Sequence, residues 1–210
     1  QTAGVLQNQA EADAYNAKYG ASSNPGDLIF VDTSGDSKIT SDDRTKIGKP
    51  TPDWTFGLNF NADWKGFDFN LFFQGVSGAD IFDATWRQDI ASGNYPTWVL
   101  QRWTGEGTSN TIPMLKLGDS KNWVCSDIYV QDGSYLRLKN IALGYTLPRN
   151  LTKKINVERF RVYVRAENLF TWTKYWGFDP EIGTSSTSMG VDYGVYPQAR
   201  IFTVGFNLSL

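Results

Sequence analysis

Residues 55–75 read TFGLNFNADWKGFDFNLFFQG. Phe56, Leu58, Phe60, Ala62 and Trp64 fall on one parity, and Thr55, Gly57, Asn59, Asn61 and Asp63 on the other. That alternation puts an apolar and a polar face on one long strand. After Lys65-Gly66 the pattern resumes with Phe67, Phe69, Leu71 and Phe73. A two-residue hairpin loop there sets 64 opposite 67, 62 opposite 69, 60 opposite 71 and 58 opposite 73. Apolar side chains then meet only apolar ones, and a slip of one residue would invert the whole set. Asp63 faces Asp68 in this register, a like-charge pair that calls for a wet turn end.

The same alternation recurs downstream. Phe160, Val162, Val164 and Ala166 oppose Arg161, Tyr163, Arg165 and Glu167, while Phe202, Val204, Phe206, Leu208 and Leu210 oppose Thr203, Gly205, Asn207 and Ser209. The expected strands are about 55–64, 67–75, 135–146, 159–170 and 199–210. In SYLRLKNIALGYTLP, residues 134–148, the parity shifts, because Leu136 and Leu138 disagree with Ile141, Leu143 and Tyr145. Either a bulge sits near Lys139, or Arg137 and Lys139 share the outward face near one membrane surface.

Composition narrows the chemistry. The 210 residues are 15% aromatic, with 20 glycines and 8 tryptophans, which leans toward an all-β fold. A net charge of −2 gives no reason to expect nucleic acid. With no histidine and one cysteine, Cys125, there is no internal disulfide, Ser-His-Asp engine or imidazole zinc site. The first twenty residues lack a signal-peptide pattern, although a short helix fits around Glu11–Lys18. No apolar run suits a membrane helix, which leaves a membrane β-barrel open because its strands carry only alternate residues toward lipid.

Two architectures share this alternation: a sandwich and a barrel. The barrel is favoured by strand length, near the 9–11 residues of a tilted membrane strand. Short turns at 65–66 and about 148–158 gather at one end, and the long segments 1–54, 76–134 and 171–198 at the other. Trp64, Phe67 and Tyr145 lie near the short-turn end, where an interfacial girdle belongs. If Leu210 ends in the periplasm, the long segments are extracellular. Five strands cannot close a barrel, and a lipid-facing edge leaves backbone groups unpaired, so further strands are expected in a parent polypeptide. The competing reading is a soluble calcium-binding β-sandwich, a lectin or adhesin module.

Four blocks carry a family resemblance: GDLIFVDTSGDSKITSDDRTKIGKPTPDWTFGLNFNADWKGFDFNLFFQG (26–75), RWTGEGTSNTIPML (102–115), SYLRLKNIALGYTLP and RVYVRAENLFTWTKYWGFDPE (161–181). In this order they resemble the C-terminal portion of SusC/RagA-type TonB-dependent outer-membrane transporters of Bacteroidetes-like bacteria, over Pro25–Leu210. The resemblance implies a barrel of about 22 strands with a plugged lumen. It also implies a SusD-like surface lipoprotein as lid, uptake of oligosaccharides or peptides, and drive through TonB by way of a plug outside this sequence. Outer-membrane lipid and the rest of the barrel would be the other partners. Two positions depart from the family pattern: Leu210 stands where the last residue is commonly aromatic, and Ser37 where the acidic loop often has Gly.

That acidic loop, DTSGDSKITSDD at 32–43, spaces its oxygens as an EF-hand calcium loop does. Asp32 takes position 1, Ser34 position 3, Asp36 position 5, the Lys38 carbonyl position 7, Thr40 position 9 and Asp43 position 12. A structural calcium would staple the loop; a solvated acidic turn has the same composition. Trp86, Trp98, Trp103, Trp123, Trp172, Tyr175 and Trp176 are placed in the outward segments, where they would stack on sugar rings or pack loops and a partner lipoprotein. Arg161, Arg165 and Glu167 point to the polar face, toward a plug or a solvated lumen. Asp179 and Glu181, in FDPE, are too close in sequence for the acid and base of a glycosidase, and the chain is read as no enzyme.

Overall fold

Lys65 and Gly66 both adopt positive φ, 47° and 90°. This is the backbone of a type I′ hairpin turn, whose twist matches that of the flanking strands. It joins β3 (Trp54–Trp64) to β4 (Phe67–Ser77), with Trp64 opposite Phe67, Ala62 opposite Phe69, Phe60 opposite Leu71 and Leu58 opposite Phe73. The computed structural model describes residues 1–85, 95, 97–116, 121–122, 124–182 and 188–210. Ahead of this hairpin lie β1 (Thr2–Val5), helix α1 (Gln9–Tyr19) and β2 (Leu28–Phe30). After it come the short β5 (Asp80–Asp83) and β6 (Val130–Asp132), then β7 (Tyr135–Thr146), α2 (Arg149–Thr152), β8 (Arg159–Thr173), the short β9 (Val191–Asp192) and β10 (Ile201–Ser209).

The chain forms two compact units, Gln1–Lys49 with Phe82–Gln131, and Pro50–Ile81 with Asp132–Leu210. The sequence places its boundary at residue 54 and leaves 76–134 as a barrel loop. In the structure most of that loop joins the N-terminal unit, because its polar side chains satisfy that unit's backbone. Asp127 accepts from the Thr2 amide at 2.9 Å, Asn110 from the Val5 amide at 3.1 Å and Asn122 from the Leu28 amide at 2.8 Å. Leu6, Ala12 and Tyr15 form the core of this unit, packed by Tyr19, Ala21, Ile29 and Ile39. Asn8 caps α1 by accepting from the Glu11 amide, and Gly20 closes it in the left-handed conformation.

The second unit is an antiparallel sheet in the order β10-β8-β7-β4-β3. Its registers align rows across all five strands. Phe60, Leu71, Ile141, Ala166 and Phe202 make one row, and Asn61, Asn70, Ala142, Arg165 and Thr203 the next. The first row is apolar from edge to edge and the second polar but for Ala142, which is the cross-strand form of the alternation read in the sequence. The parity shift in β7 is a bulge: Phe72 pairs with Asn140 and Phe73 with Leu138, so Lys139 is the extra residue. Leu136 and Leu138 thereby rejoin the face of Ile141 and Leu143.

The apolar face is open. Phe56 is 45% exposed, Phe60 54%, Phe206 68% and Val204 84%. A sandwich would cover these side chains with a second layer, whereas here they stand open. Aromatics band the face at both ends. Phe67 stacks with Tyr145 at 4.5 Å and Phe160 with Phe206 at 6.1 Å near the hairpin turn. At the other end Trp172 contacts Phe73 at 6.4 Å and Phe170 at 6.0 Å, a second belt that the sequence reading did not contain. From Trp54 to Trp64 a strand tilted about 40° climbs about 25 Å, the height of the apolar band of an outer-membrane barrel.

On the polar face, the Asp63–Asp68 juxtaposition is relieved from two strands away. Arg161 donates to Asp68 at 2.8 and 2.5 Å, reaching across β7 at Gly144. A Cβ at Gly144 would collide with both partners. Gly144→Val is therefore expected to break the bridge and lower the temperature at which the folded barrel loses its heat-resistant gel mobility, whereas Ala142→Val, one pair of residues up the same face, leaves it near wild type.

Candidate functional site

Three groups of polar residues were candidates for function: the acidic loop, the polar sheet face and the segment after β8. In the acidic loop the carboxylates of Asp32, Asp36 and Asp43 turn to backbone amides. Asp32 accepts from the Gly35 amide at 2.6 Å and the Ser37 amide at 3.0 Å, and Asp36 from the Lys38 amide at 2.9 Å. Asp43, only 6% exposed, accepts from Thr33 at 3.0 Å, Ser34 at 3.1 Å and Thr40 at 2.7 Å. Thr40 caps the turn Ser41–Asp43 in return, completing a capping box. The sharp bend falls on Gly35 and Ser37, with φ of 78° and 59°. Calcium requires oxygens converging on one point. Here Asp32 and Asp43 accept from these amides, and no group of three acidic, His or Cys side chains gathers among the described residues.

The polar face of the sheet carries a continuous hydrogen-bonded ladder. Asn70 donates to Asn59 at 2.9 Å and Asn61 at 2.7 Å, and Asn140 donates to Asn70. Arg165 donates to Asn140 at 2.5 Å and pairs with Glu167 at 2.8 Å. Side chains from four adjacent strands are thus fixed in one plane. Arg161 adds its bridge to Asp68, and its guanidinium lies 4.9 Å from the Tyr163 ring.

Asp179 and Glu181 meet cations on this same face. Arg137 donates to Asp179 at 2.5 Å, to Glu181 at 2.7 Å and to Thr171 at 2.8 Å, and Lys139 donates to Glu181 at 2.6 and 2.8 Å. Arg137 is 2% exposed and Asp179 4%. Burial pushes the Asp179 carboxyl up, but hydrogen bonds from Arg137 and from the Gln198 and Glu181 amides outweigh it and hold the group below its ordinary range. Both carboxylates are thus held by ion pairs to Arg137 and Lys139.

Comparison with known proteins places this geometry. No family model matches the chain. It is 38% identical over 196 residues to TonB-dependent receptor P3 of Formosa agariphila, a match covering 89% of this chain and 19% of that protein. It is 30% identical over 199 residues to TonB-dependent receptor SusC of Bacteroides thetaiotaomicron, covering 93% and 19%. The RagAB peptide importer in its open-open state superposes with a TM-score of 0.71 at 31% identity, over 88% of this chain and 21% of that one. The chain is a SusC/RagA-type TonB-dependent receptor sequence. It spans about a fifth of the length of the relatives it matches and corresponds to the C-terminal portion of their barrel. Receptors of this family are outer-membrane proteins.

Placed in a SusC/RagA-type barrel, the candidate aromatics separate into different roles. Trp172 is corrected from loop to strand: β8 continues to Thr173, and Trp172 joins the aromatic belt on the apolar face. Tyr175 is 6% exposed and donates to Asp192 at 2.6 Å, so its ring offers no face to a ligand. Trp103 packs over Gly26, where a Cβ would strike its ring, and its indole nitrogen is buried without an acceptor among the described residues. Trp98 is half-buried in the turn Thr97–Gln101, and Trp176 is 63% exposed. Trp86 and Trp123 lie outside the described residues. The sequence missed the Arg137 cluster as a unit, although its signal was present: two cations two apart on a strand, and two carboxylates two apart in FDPE.

The amide hydrogen bonds to Asp43 set a pH dependence. Those from Thr40, Ser34 and Thr33 lower its pKa to about 2 from an ordinary value near 3.8. A depressed carboxylate stabilises the fold above its unfolded pKa and loses that contribution as pH falls through the folded value. Hydrogen-exchange protection at Thr33, Ser34 and Thr40 is therefore expected to hold from neutral pH to about 4 and to fail toward pH 2. Asp43→Ala should abolish it at every pH, with or without added calcium.

Proposed function

We propose that this sequence builds the closing wall of an outer-membrane importer that takes up oligosaccharides or peptides together with a SusD-like surface lipoprotein, energised through TonB. The observation that carries the reading is the two-faced sheet: lipid solvates the belted apolar side, and the polar ladder faces the lumen. Strands β3 and β10 stand at the edges of the sheet. Their outer backbone groups would pair with the rest of the barrel, since unpaired amides in hydrocarbon cost several kcal/mol each. The plug would lie against the ladder of Asn59, Asn61, Asn70, Asn140 and Arg165, whose fixed donors and acceptors suit a polar packing partner.

Orientation follows from strand length and turn distribution. With Leu210 in the periplasm, the Lys65-Gly66 turn and the α2 connection are periplasmic, and the acidic loop and the β8–β10 connection are extracellular. The peptide class is supported by the likeness to RagAB, described as a peptide importer, and the oligosaccharide class by the family resemblance. Of the described tryptophan and tyrosine candidates, Trp176 is the most exposed and would offer its ring to substrate or to the lipoprotein lid. A calcium in the 32–43 loop, held by Asp32, Ser34, Asp36, the Lys38 carbonyl, Thr40 and Asp43, would be structural and staple the loop.

The test uses the full-length transporter refolded into liposomes. Phe60→Arg puts a charge near the middle of the lipid face and should lower unfolding stability by about 2–4 kcal/mol. Asn61→Arg, on the opposite face, should change it by less than about 1 kcal/mol, as lumen substitutions do. Equal effects at the two positions, or a stable wild-type protein without detergent or lipid, would overturn the reading.

A further inference from the structure

We infer that FDPE is the strap of an extracellular latch, in which Arg137 positions the β8–β10 connection against the inner wall of the barrel mouth. The inference rests on the importer reading for its setting. The contacts themselves belong to the second unit alone.

Asp179 is the centre of the latch. Its Oδ1 accepts from Arg137 at 2.5 Å and from the Glu181 amide at 2.8 Å, and its Oδ2 accepts from the Gln198 amide at 2.9 Å. One carboxylate therefore ties the start of the connection to its end, and both to β7. Arg137 holds the other side: its Nε reaches Thr171 on β8 and its two terminal nitrogens reach Glu181 and Asp179. Three neighbouring strands, β7, β8 and the approach to β10, are fastened at one level. On the opposite face that level is marked by the upper aromatic belt, because Arg137 pairs with Thr171 and its neighbour Leu136 with Trp172.

The bulge explains how β7 serves two networks. Without the extra residue, Lys139 and Asn140 would point to opposite faces. With it, Lys139 reaches Glu181 while Asn140 joins the ladder to Asn70 and Arg165. Two cations and two carboxylates leave the cluster with no net charge. A buried set of this kind is strongly destabilised by losing one member, because the remaining charge has no partner. Asp192 reinforces the segment separately, accepting from Tyr175 at 2.6 Å and from the amides of Gly194 and Val195 at 2.7 and 2.9 Å. The root of the connection is therefore a fixed strap, and Arg137 is a positioning residue rather than a ligand for passing substrate.

The experiment places nitroxide pairs on the full-length transporter, with Cys125→Ser and serine in place of any cysteine elsewhere in the full-length protein. One pair, Phe178→Cys with Thr203→Cys, reports the strap against the wall; the other, Asn61→Cys with Thr203→Cys, reports the wall alone. Wild type should give narrow distance distributions for both. Arg137→Met should broaden the first at least twofold and leave the second unchanged. Arg137→Lys, which keeps the charge but not the fork, should restore it in part. Glu181→Gln, at the more exposed end, should broaden it less than Arg137→Met and serves if the latter does not insert. A narrow first distribution in every inserted variant, or broadening of both pairs together, overturns the latch. These distances are read without any transport, so a transporter that fails to import would sink the importer reading and leave the latch standing.

Discussion

Every strand must send alternate side chains to opposite sides while giving its backbone to neighbours, and here five strands obey both demands in one register. Apolar rows such as Phe60–Leu71–Ile141–Ala166–Phe202 and polar rows such as Asn61–Asn70–Ala142–Arg165–Thr203 cross the whole sheet. The rest of the second unit depends on that sorting. A face this apolar and this open is unfavourable in water, and it becomes the low-energy side once hydrocarbon replaces water. The same sorting gathers Asn, Arg, Asp and Glu on the other side, where the asparagine ladder and the Arg161–Asp68 bridge link the strands.

Conflicts in the pattern mark the places where the sheet is modified. Asp63 opposite Asp68 is unfavourable as a pair, and the structure resolves it with Arg161, which needs Gly144 as a bare crossing point. The parity break in β7 is resolved by the bulge at Lys139, which places one more polar side chain on the lumen side. Both devices bring cations toward acidic residues distant in sequence, 93 positions for Arg161 and Asp68 and 42 for Arg137 and Asp179. Their physical logic is the same: in a partly buried site a charge is tolerated only when paired and hydrogen-bonded.

The acidic loop carries oxygens at the spacing of the calcium template, and in the structure its carboxylates also bind backbone amides, Asp43 closing on Thr33, Ser34 and Thr40. The aromatic candidates show how one chemistry serves several places, since Trp172, Tyr175, Trp103 and Trp176 occupy a belt on the apolar face, a buried hydrogen bond, a packed interior and the surface.

Local periodicity decided the hairpin, the long strands and their faces, because alternation and turn chemistry are properties of neighbours in sequence. A short helix was expected around Glu11–Lys18, and in the structure it runs Gln9–Tyr19 with Asn8 and Gly20 at its ends. Only the tertiary structure assigned residues 82–131 to the N-terminal unit, chose the bulge over the alternative, and drew Asp179 and Glu181 onto Arg137 and Lys139. Those outcomes depend on which polar group meets which across tens of residues. Sequence fixes the supply of donors, acceptors and charges, and three-dimensional proximity decides how they are matched.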